Sequence, residues 1–416
     1  MKNFLSHSSF RVPLVALMLM ALASPVCRAG TVAAPYAIGT WEGFRLAAIS
    51  YTFDDDCPNQ YVEAVPMFHN AGIKMTLFTV TSWEVTWPSI QQAAAWGDEI
   101  ASHTVTHVQL NTVTGAQLTN ELAGSQSTIN SYVTNESCLT IAYPNCVVPS
   151  ESVVAQYYFA ARGCSGQVVP ATPSDFLNIS SFILGNTGSY TTGTNINALA
   201  DDAYRSGGWC VYLTHAIDGD SGYSPLSSSA LQASVNYTSG NPAKFWVETF
   251  GDVVRYIKER NASSVSETAN TGSSITVLVT NMLGSTIYNY PITLRRPFPT
   301  NWPAMSVTQN GQAITPQLVT ISSTNYAMFD VVPNAGNVVL TETVLPFTLS
   351  NPALPAPGSL TFKLTGQSNV TYTISSSADL VNWTSNQTCT LKGISTNITV
   401  NASSNGVQFY RAQWSP

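Results

Sequence analysis

From Leu46 to Arg260 the chain alternates between two hydrophobic periods. LAAISYTF, IKMTLFTV, EIASH, LTIAYP, YYFAARG and WCVYLTH are short apolar runs of strand length. YVEAVPMFHNAG, SIQQAAAWG and GAQLTNELAGSQSTINSYV space their apolar residues as helices do, and FWVETFGDVVRYIKER reads as a strand running into a helix. Repeated strand-then-helix units predict an α/β fold with a parallel sheet. In such folds functional side chains sit at the carboxyl ends of the strands.

Beyond Asn261 the period becomes two. SSVSETANTGSS reads as a flexible linker, and SITVLVT, YPITLRR, AMFDVV and NVVLTETV follow as strands. A second break at LPFTLSNPALPAPGS precedes SLTFKLTG, VTYTISSS, TNITVNA and VQFYRAQW. Two small all-β, sandwich-like modules are expected, over residues 263–345 and 346–416. With a flexible linker before them, residues 30–262 are expected to fold and act alone.

Composition narrows the class. At 416 residues, two or three domains are expected. Charged residues make up only 9%, against about 25% in a typical soluble protein. Ser, Thr, Asn and Gln must then cover the surface, a habit of extracellular proteins that work among carbohydrates. Lys2 and Arg11 precede VPLVALMLMALA and small residues follow, the pattern of an export signal over residues 1–29. The apolar run is short for a bilayer span. A secreted monomer without a membrane span is expected, in the medium, in the periplasm or at a cell surface. Residues 30–262 carry 19 acidic against 8 basic side chains. That balance repels nucleic acid and anionic lipid and favours a neutral substrate.

ISYTFDDDC places Asp54, Asp55 and Asp56 directly after an apolar strand. Adjacent carboxylates repel unless a cation holds them. Downstream, EIASHTVTH sets His103 and His107 four residues apart; on one turn of helix such a pair shares a face and can ligate one ion. One aspartate with two histidines leaves coordination positions open for water and substrate, the mark of a catalytic site. LTIAYPNC ends a strand at Tyr143-Pro144-Asn145, and CVYLTH ends one at His215.

Together these residues resemble the polysaccharide deacetylases, carbohydrate esterase family four with its NodB-homology domain. TFDD is similar to that family's first motif, HTVTH to its second and LTH to its last, while GIKMTLFTV and GDEIASH resemble the strands leading to them. The resemblance implies a distorted (β/α) barrel. It implies a divalent metal held by Asp55, His103 and His107, with Zn2+ as first choice and Co2+ or a similar ion as second. Asp54 is then the catalytic base, His215 the general acid and the Asn145 N–H the oxyanion donor, with Tyr143 and Pro144 against the substrate. The implied activity is removal of acetyl groups from a polysaccharide, first the N-acetyl groups of chitin or a related N-acetylglucosamine polymer. An O-acetyl esterase of the acetylxylan type shares the same residues, and a degenerate carbohydrate-binding barrel is a further alternative.

The chain also departs from the family pattern. Asp56 stands where a glycine is usual, Ala142 where an arginine orients the base, and Asn145 where an aromatic stands. Arg162 in YYFAARG, on the next strand, is expected to supply the missing charge. Asp175 is the candidate to orient His215, while Asp218 and Asp220 read as a polar loop. Cys57, Cys138, Cys146, Cys164, Cys210 and Cys389 remain after signal removal, enough for one or two disulfides in an exported chain. Cys57 follows the aspartates and Cys146 follows Pro144-Asn145, so a Cys57–Cys146 bridge on the site rim is expected. In the β modules Trp302 and Trp383 could contact polysaccharide, although core packing is the commoner fate of tryptophan.

Overall fold

The computed structural model describes residues 30–83, 85–402 and 407–414. The export signal expected over residues 1–29 lies outside them. After a short strand β1 (Ala37–Ile38), the chain lays down β2 (Ala47–Asp54), β3 (Thr76–Thr79), β4 (Glu99–Ser102), β5 (Thr140–Ala142), β6 (Ala160–Arg162), β7 (Phe182–Ile183), β8 (Trp209–Thr214) and β9 (Phe245–Val247). They form one sheet in the order β6-β5-β4-β3-β2-β8-β7. Every pairing is parallel, and β9 runs beside Ala47–Ile49 of β2. All eight residues of β2 are buried, as a central parallel strand requires. Helices cover the sheet, and residues at or just past the carboxyl ends of β2, β4, β5, β6 and β8 line one cavity.

The helix expected over GAQLTNELAGSQSTINSYV is interrupted. Helical residues Gly115–Thr119 and Ser125–Tyr132 flank a π turn at Asn120–Gly124. One extra residue in a turn re-aims a side chain, and here it carries the buried Glu121 into the rim loop described below.

Two all-β units follow. In the first, β1 joins β12 (Ile292–Pro297), β16 (Thr324–Val331) and β15 (Gln317–Ile321) in one sheet. Its second sheet orders β10 (Ser264–Asn270), β11 (Ser274–Thr280), β17 (Val338–Thr343), β13 (Ala304–Gln309) and β14 (Gln312–Ile314). The last unit stacks β18 (Thr348–Ala356), β19 (Ser359–Thr365) and β22 (Ser395–Asn401) against β21 (Thr384–Thr390), β20 (Thr371–Ser377) and β23 (Phe409–Trp414). Among the described residues no helix is long and apolar enough to cross a membrane.

The expected linker is not one. SSVSETANTGSS contains β10, paired antiparallel with β11, and Val32 bridges to Val265 ahead of the barrel. The Pro-rich break after residue 345 is likewise mostly strand β18, an exposed edge strand whose pairing with β19 shifts register on both sides of Ala353. Edge strands tolerate proline because the missing N–H faces solvent.

Barrel and first β unit also share a core. Trp41, Trp246, Phe250, Val253 and Tyr256 of the barrel belong to the same buried cluster as Val265, Val277, Ile292, Leu294 and Phe329 of the β unit. Tyr290 reaches from the β unit to stack near Trp246 and Tyr256 and donates its N–H to fully buried Glu259. A cut after residue 262 would divide this core. The last unit has a separate one, around Phe362, Leu364, Tyr372 and Ile374.

Candidate active site

β2 delivers Asp54 to the rim and the backbone then reverses. Asp55 and Asp56 both take left-handed conformations, with φ of 75° and 52°, a region that Asp tolerates better than most residues. The turn directs the three carboxylates to different partners. Asp54 is buried against Arg162, Asp55 faces the histidines, and Asp56 turns away. Asp56 accepts hydrogen bonds from the Val80 N–H at 2.8 Å and the Tyr61 hydroxyl at 2.7 Å. Burial pushes its pKa up to about 6 against those bonds.

His103 and His107 do not share a helix. They flank an irregular loop after β4, in which Thr104 and His107 have φ of 70° and 61°. Glu121 holds that loop by accepting from the N–H groups of Val105 and Thr106 and from the Thr106 hydroxyl. The His103 Nδ1 lies 2.9 Å from the Ala142 carbonyl oxygen. A carbonyl only accepts, so Nδ1 carries the proton and neutral His103 presents the lone pair of Nε2 to the site.

That lone pair points at Asp55 Oδ1, 3.6 Å away, and His107 Nε2 stands 3.5 Å from the same oxygen. Asp55 Oδ1 is buried without a hydrogen-bond partner among the described residues. One carboxylate oxygen and two imidazole nitrogens converging without shared protons is the donor set of a divalent cation. Burial lowers the pKa of His103 against the pull of Asp54 and Asp55, which favours the neutral, ligating form.

Arg162, at the end of β6, places Nη2 on Asp54 Oδ2 and Nη1 3.3 Å from the Ser181 hydroxyl. Burial works to raise the Asp54 pKa, but Arg162 and then His103 outweigh it and the carboxyl is held below its usual value. Asp54 Oδ1 has no hydrogen-bond partner among the described residues. His215, just beyond β8, brings Nε2 to 3.9 Å from Asp55 Oδ2. Asp54, Asp55, His103, His107, Tyr143, Asn145, His215 and Tyr223 are among the residues lining one cavity of about 410 Å³. A larger cavity in the last β unit, about 490 Å³, is lined by Ser376, Asn386, Gln387, Thr399, Val400, Asn401 and Gln408, with no titratable side chain. The cluster of carboxylates and imidazoles lines the barrel cavity.

Residues 45–158 match the family model of the polysaccharide deacetylases. Over those residues the barrel is a polysaccharide deacetylase domain. A gellan lyase of a Bacillus species is 28% identical over 343 residues, 76% of this chain and 14% of that protein. A Bacillus subtilis protein assigned to the polysaccharide deacetylases, YxkH, is 30% identical over 98 residues, 22% of this chain and 35% of that protein. The chain thus spans well under half the length of these two relatives. Among solved structures, a family 4 acetyl xylan esterase from Clostridium thermocellum superposes with a TM-score of 0.38 at 15% identity, over 50% of this chain and 89% of that one. A Bacillus subtilis peptidoglycan deacetylase gives 0.38 at 12% identity, over 51% and 92%.

Some expected features of the deacetylase domain are placed differently. Cys146 is bonded to Cys164, not to Cys57. β5 and β6 are neighbours with Ala142 beside Arg162, so the cysteines just past their ends meet, whereas the buried Cys57 sulfur packs against Gly222. Asp175 does not reach His215. It accepts from the Leu177 N–H and lies beside Glu151, and His215 Nδ1 is buried with no partner among the described residues. Asp218 and Asp220 accept from the Ser228 and Asn59 N–H groups and are structural. Asn145 lines the cavity with a left-handed backbone at φ 54°. The Tyr143 hydroxyl is committed to the Leu177 carbonyl, leaving its ring for the cavity, and Pro144 is buried outside the lining. Trp302 is buried, and Trp383 is half-buried with Arg411 4.1 Å above its ring. Sequence reasoning missed Glu121 and the aromatic side chains Trp83 and Tyr223.

Proposed function

We propose that this chain is an exported, metal-dependent hydrolase that removes acetyl groups from a polysaccharide, first of all N-acetyl groups of a glucosamine-type polymer. The observation that carries the proposal is the convergence of Asp55, His103 and His107 beside an arginine-held aspartate and a second histidine, all in one cavity. A divalent cation held by Asp55, His103 and His107 would polarise an acetyl carbonyl and acidify water in the site. Asp54, anchored through Oδ2 by Arg162, keeps Oδ1 free to take a proton from the attacking water. His215 Nε2 lies across the site to return a proton to the leaving nitrogen or oxygen. The Asn145 N–H, on the turn after Tyr143, is the donor for the oxyanion. The gellan lyase likeness covers too little of that protein to bring lyase chemistry here.

The test is acetate release from a panel of N-acetylated and O-acetylated glycans, with and without a chelator. Release from N-acetylated polymer that stops on chelation and returns with added Zn2+ or Co2+ supports the proposal. Release from acetylxylan alone makes the protein an ester hydrolase. Binding of glycans without release from any of them, metal present, refutes hydrolysis.

A further inference from the structure

The Cys146–Cys164 disulfide is part of the cavity wall, together with Asp54, His103 and His215. It joins two segments that the sheet itself does not hold together. β5 and β6 pair as far as Ala142 and Arg162, and the Tyr143 N–H still reaches the Arg162 carbonyl at 3.1 Å. Past that point the chain leaving β5 turns on itself. Among the described residues, the hydrogen bonds of residues 144–149 are local: the Cys146 N–H bonds to the Tyr143 carbonyl and the Val147 N–H to that of Pro144. Within this turn Asn145 and Cys146 are both left-handed, with φ of 54° and 58°, a conformation disfavoured for residues that carry a Cβ. Val148 packs at the edge of the core, beyond the left-handed pair.

The Cys164 side is fixed. The Gly163 N–H bonds to the Ile179 carbonyl at 2.7 Å, and the Gly163 carbonyl accepts from the Ser181 hydroxyl at 2.7 Å. The Gly166 N–H bonds to the Ser181 carbonyl at 3.1 Å. Arg162 donates through Nη1 to the Ser181 hydroxyl and through Nη2 to Asp54. The strand end that anchors Asp54 is thus braced from behind. The disulfide carries that bracing across to the turn after Tyr143.

We infer that the Cys146–Cys164 disulfide is a positioning device for the site: it locks the left-handed turn that presents the Asn145 N–H to the strand end that carries Arg162. The oxyanion donor and the anchor of the base then keep one fixed separation. This rests on the hydrolase reading above for the roles of Asn145 and Arg162, but not for the hold on the turn. A donor for developing charge acts only where it is pre-set at hydrogen-bond distance, so a turn free to relax loses turnover before it loses binding. Full turnover then requires an oxidising compartment, where such a bond forms and persists.

The experiment compares wild type with two double variants, Cys146→Ala/Cys164→Ala and Cys146→Gly/Cys164→Ala. Neither has the bond, but glycine adopts the left-handed backbone at position 146 readily and alanine resists it. Acetate release from an N-acetylated glucosamine oligomer, metal per protein and hydrogen exchange over residues 143–150 are measured on each. The alanine variant should lose roughly 10- to 10²-fold in kcat, with KM and metal content close to wild type. The glycine variant should recover roughly fivefold of that loss. Folded wild type is also treated with a water-soluble phosphine, which reduces the bond to two thiols as the oxygen of water passes to phosphorus. After its removal without air kcat should be as low as in the alanine variant, and readmitted oxygen should restore it. Unchanged kcat without the bond overturns the inference. So does a loss of kcat that tracks lost metal or lost fold, or one that is as large with glycine as with alanine. If wild type with metal releases no acetate, the hydrolase reading fails, and exchange still decides: faster exchange over 143–150 without the bond upholds the hold on the turn, and equal exchange overturns it.

Discussion

Arg162→Met removes the charge beside Asp54 while keeping an apolar side chain of similar length over the Phe78 ring, where the guanidinium now lies 5.3 Å from the centroid. The side chains of Arg162 and Asp54 are only 1% and 3% exposed. Removing one partner from such a pair strands a buried charge, at a cost of about 3 to 5 kcal/mol. His103 Nε2, 3.6 Å from Asp54 Oδ2, is a weak substitute because it is lowered towards the neutral form. The lower end, about 3 kcal/mol, is expected for the metal-free protein. Turnover should fall by roughly 10²-fold, because a base that loses its anchor loses both orientation and ionisation.

The sign of the pH effect follows from the same contact. In wild type Arg162 holds the Asp54 carboxyl low against burial. Without it burial prevails and the pKa rises, so the acid limb of the activity profile should move to higher pH and part of the loss should be recovered there. Asp54→Asn in the Arg162→Met background removes the stranded charge. The double variant should regain about 2 kcal/mol relative to Arg162→Met alone, while remaining as inactive as Asp54→Asn. The assays are urea denaturation with and without metal, acetate release across pH, and metal per protein. Wild-type turnover and stability in Arg162→Met would refute the argument, as would a loss of turnover that merely tracks lost metal.

Asp55→Asn should lower metal occupancy, with partial rescue by excess metal, whereas Asp54→Asn should keep its metal and lose hydrolysis; elemental analysis beside acetate release separates them, and the reverse pattern would exchange their roles. Truncation after residue 262 should give insoluble or molten protein, because several large side chains worth about 1.5–3 kcal/mol each lose their cover, enough to exhaust a typical stability of about 5–15 kcal/mol. A 30–345 protein should melt cooperatively near the full-length temperature, since the last unit has its own core. Glu259, fully buried and with its pKa pushed up to about 7 by burial, favours folding when protonated. Its contribution is complete below the unfolded value of about 4.3 and is lost as pH rises through 7, so Glu259→Gln should flatten that fall by up to ~3 kcal/mol in denaturation curves taken between pH 4.5 and 8.

What the chain states locally was legible in it. Asp54, His103, Ala142, Arg162 and His215 each end or closely follow an apolar run, and the carboxyl end of a parallel strand is where a β/α fold collects chemistry. Arg162 could be anticipated because β5 and β6 are adjacent. The same adjacency brings Cys146 to Cys164, yet Cys57 stands one residue beyond the aspartates and looked equally close to the rim. Periodicity failed where pairing rather than burial makes the element. β10 buries only Val265 well, so nothing in its side chains distinguishes it from a linker; its backbone partners in β11 do. The histidine loop was opaque for a different reason. Four-residue spacing suggests a helical turn, but here it spans a loop held by Glu121, 14 residues further on, which no local pattern connects to it.

Asp56 shows how a departure from a family pattern can hold a site together. Where a glycine would supply only backbone freedom, this chain has a second left-handed residue in succession, costing of order 1 kcal/mol. The carboxylate offsets that cost by accepting from the Val80 N–H, at the end of β3, and from Tyr61. Two rims are thereby tied, because the Val80 segment leads into the Trp83 loop and the Asp56 turn carries Asp55. The Asp56 carboxylate fixes the turn from which Asp55 faces His103 and His107, through a partner just past β3 and 24 residues away. An aspartate that sequence alone marks as an odd turn residue is, in the fold, a clamp between the turn that carries Asp55 and the segment that follows β3.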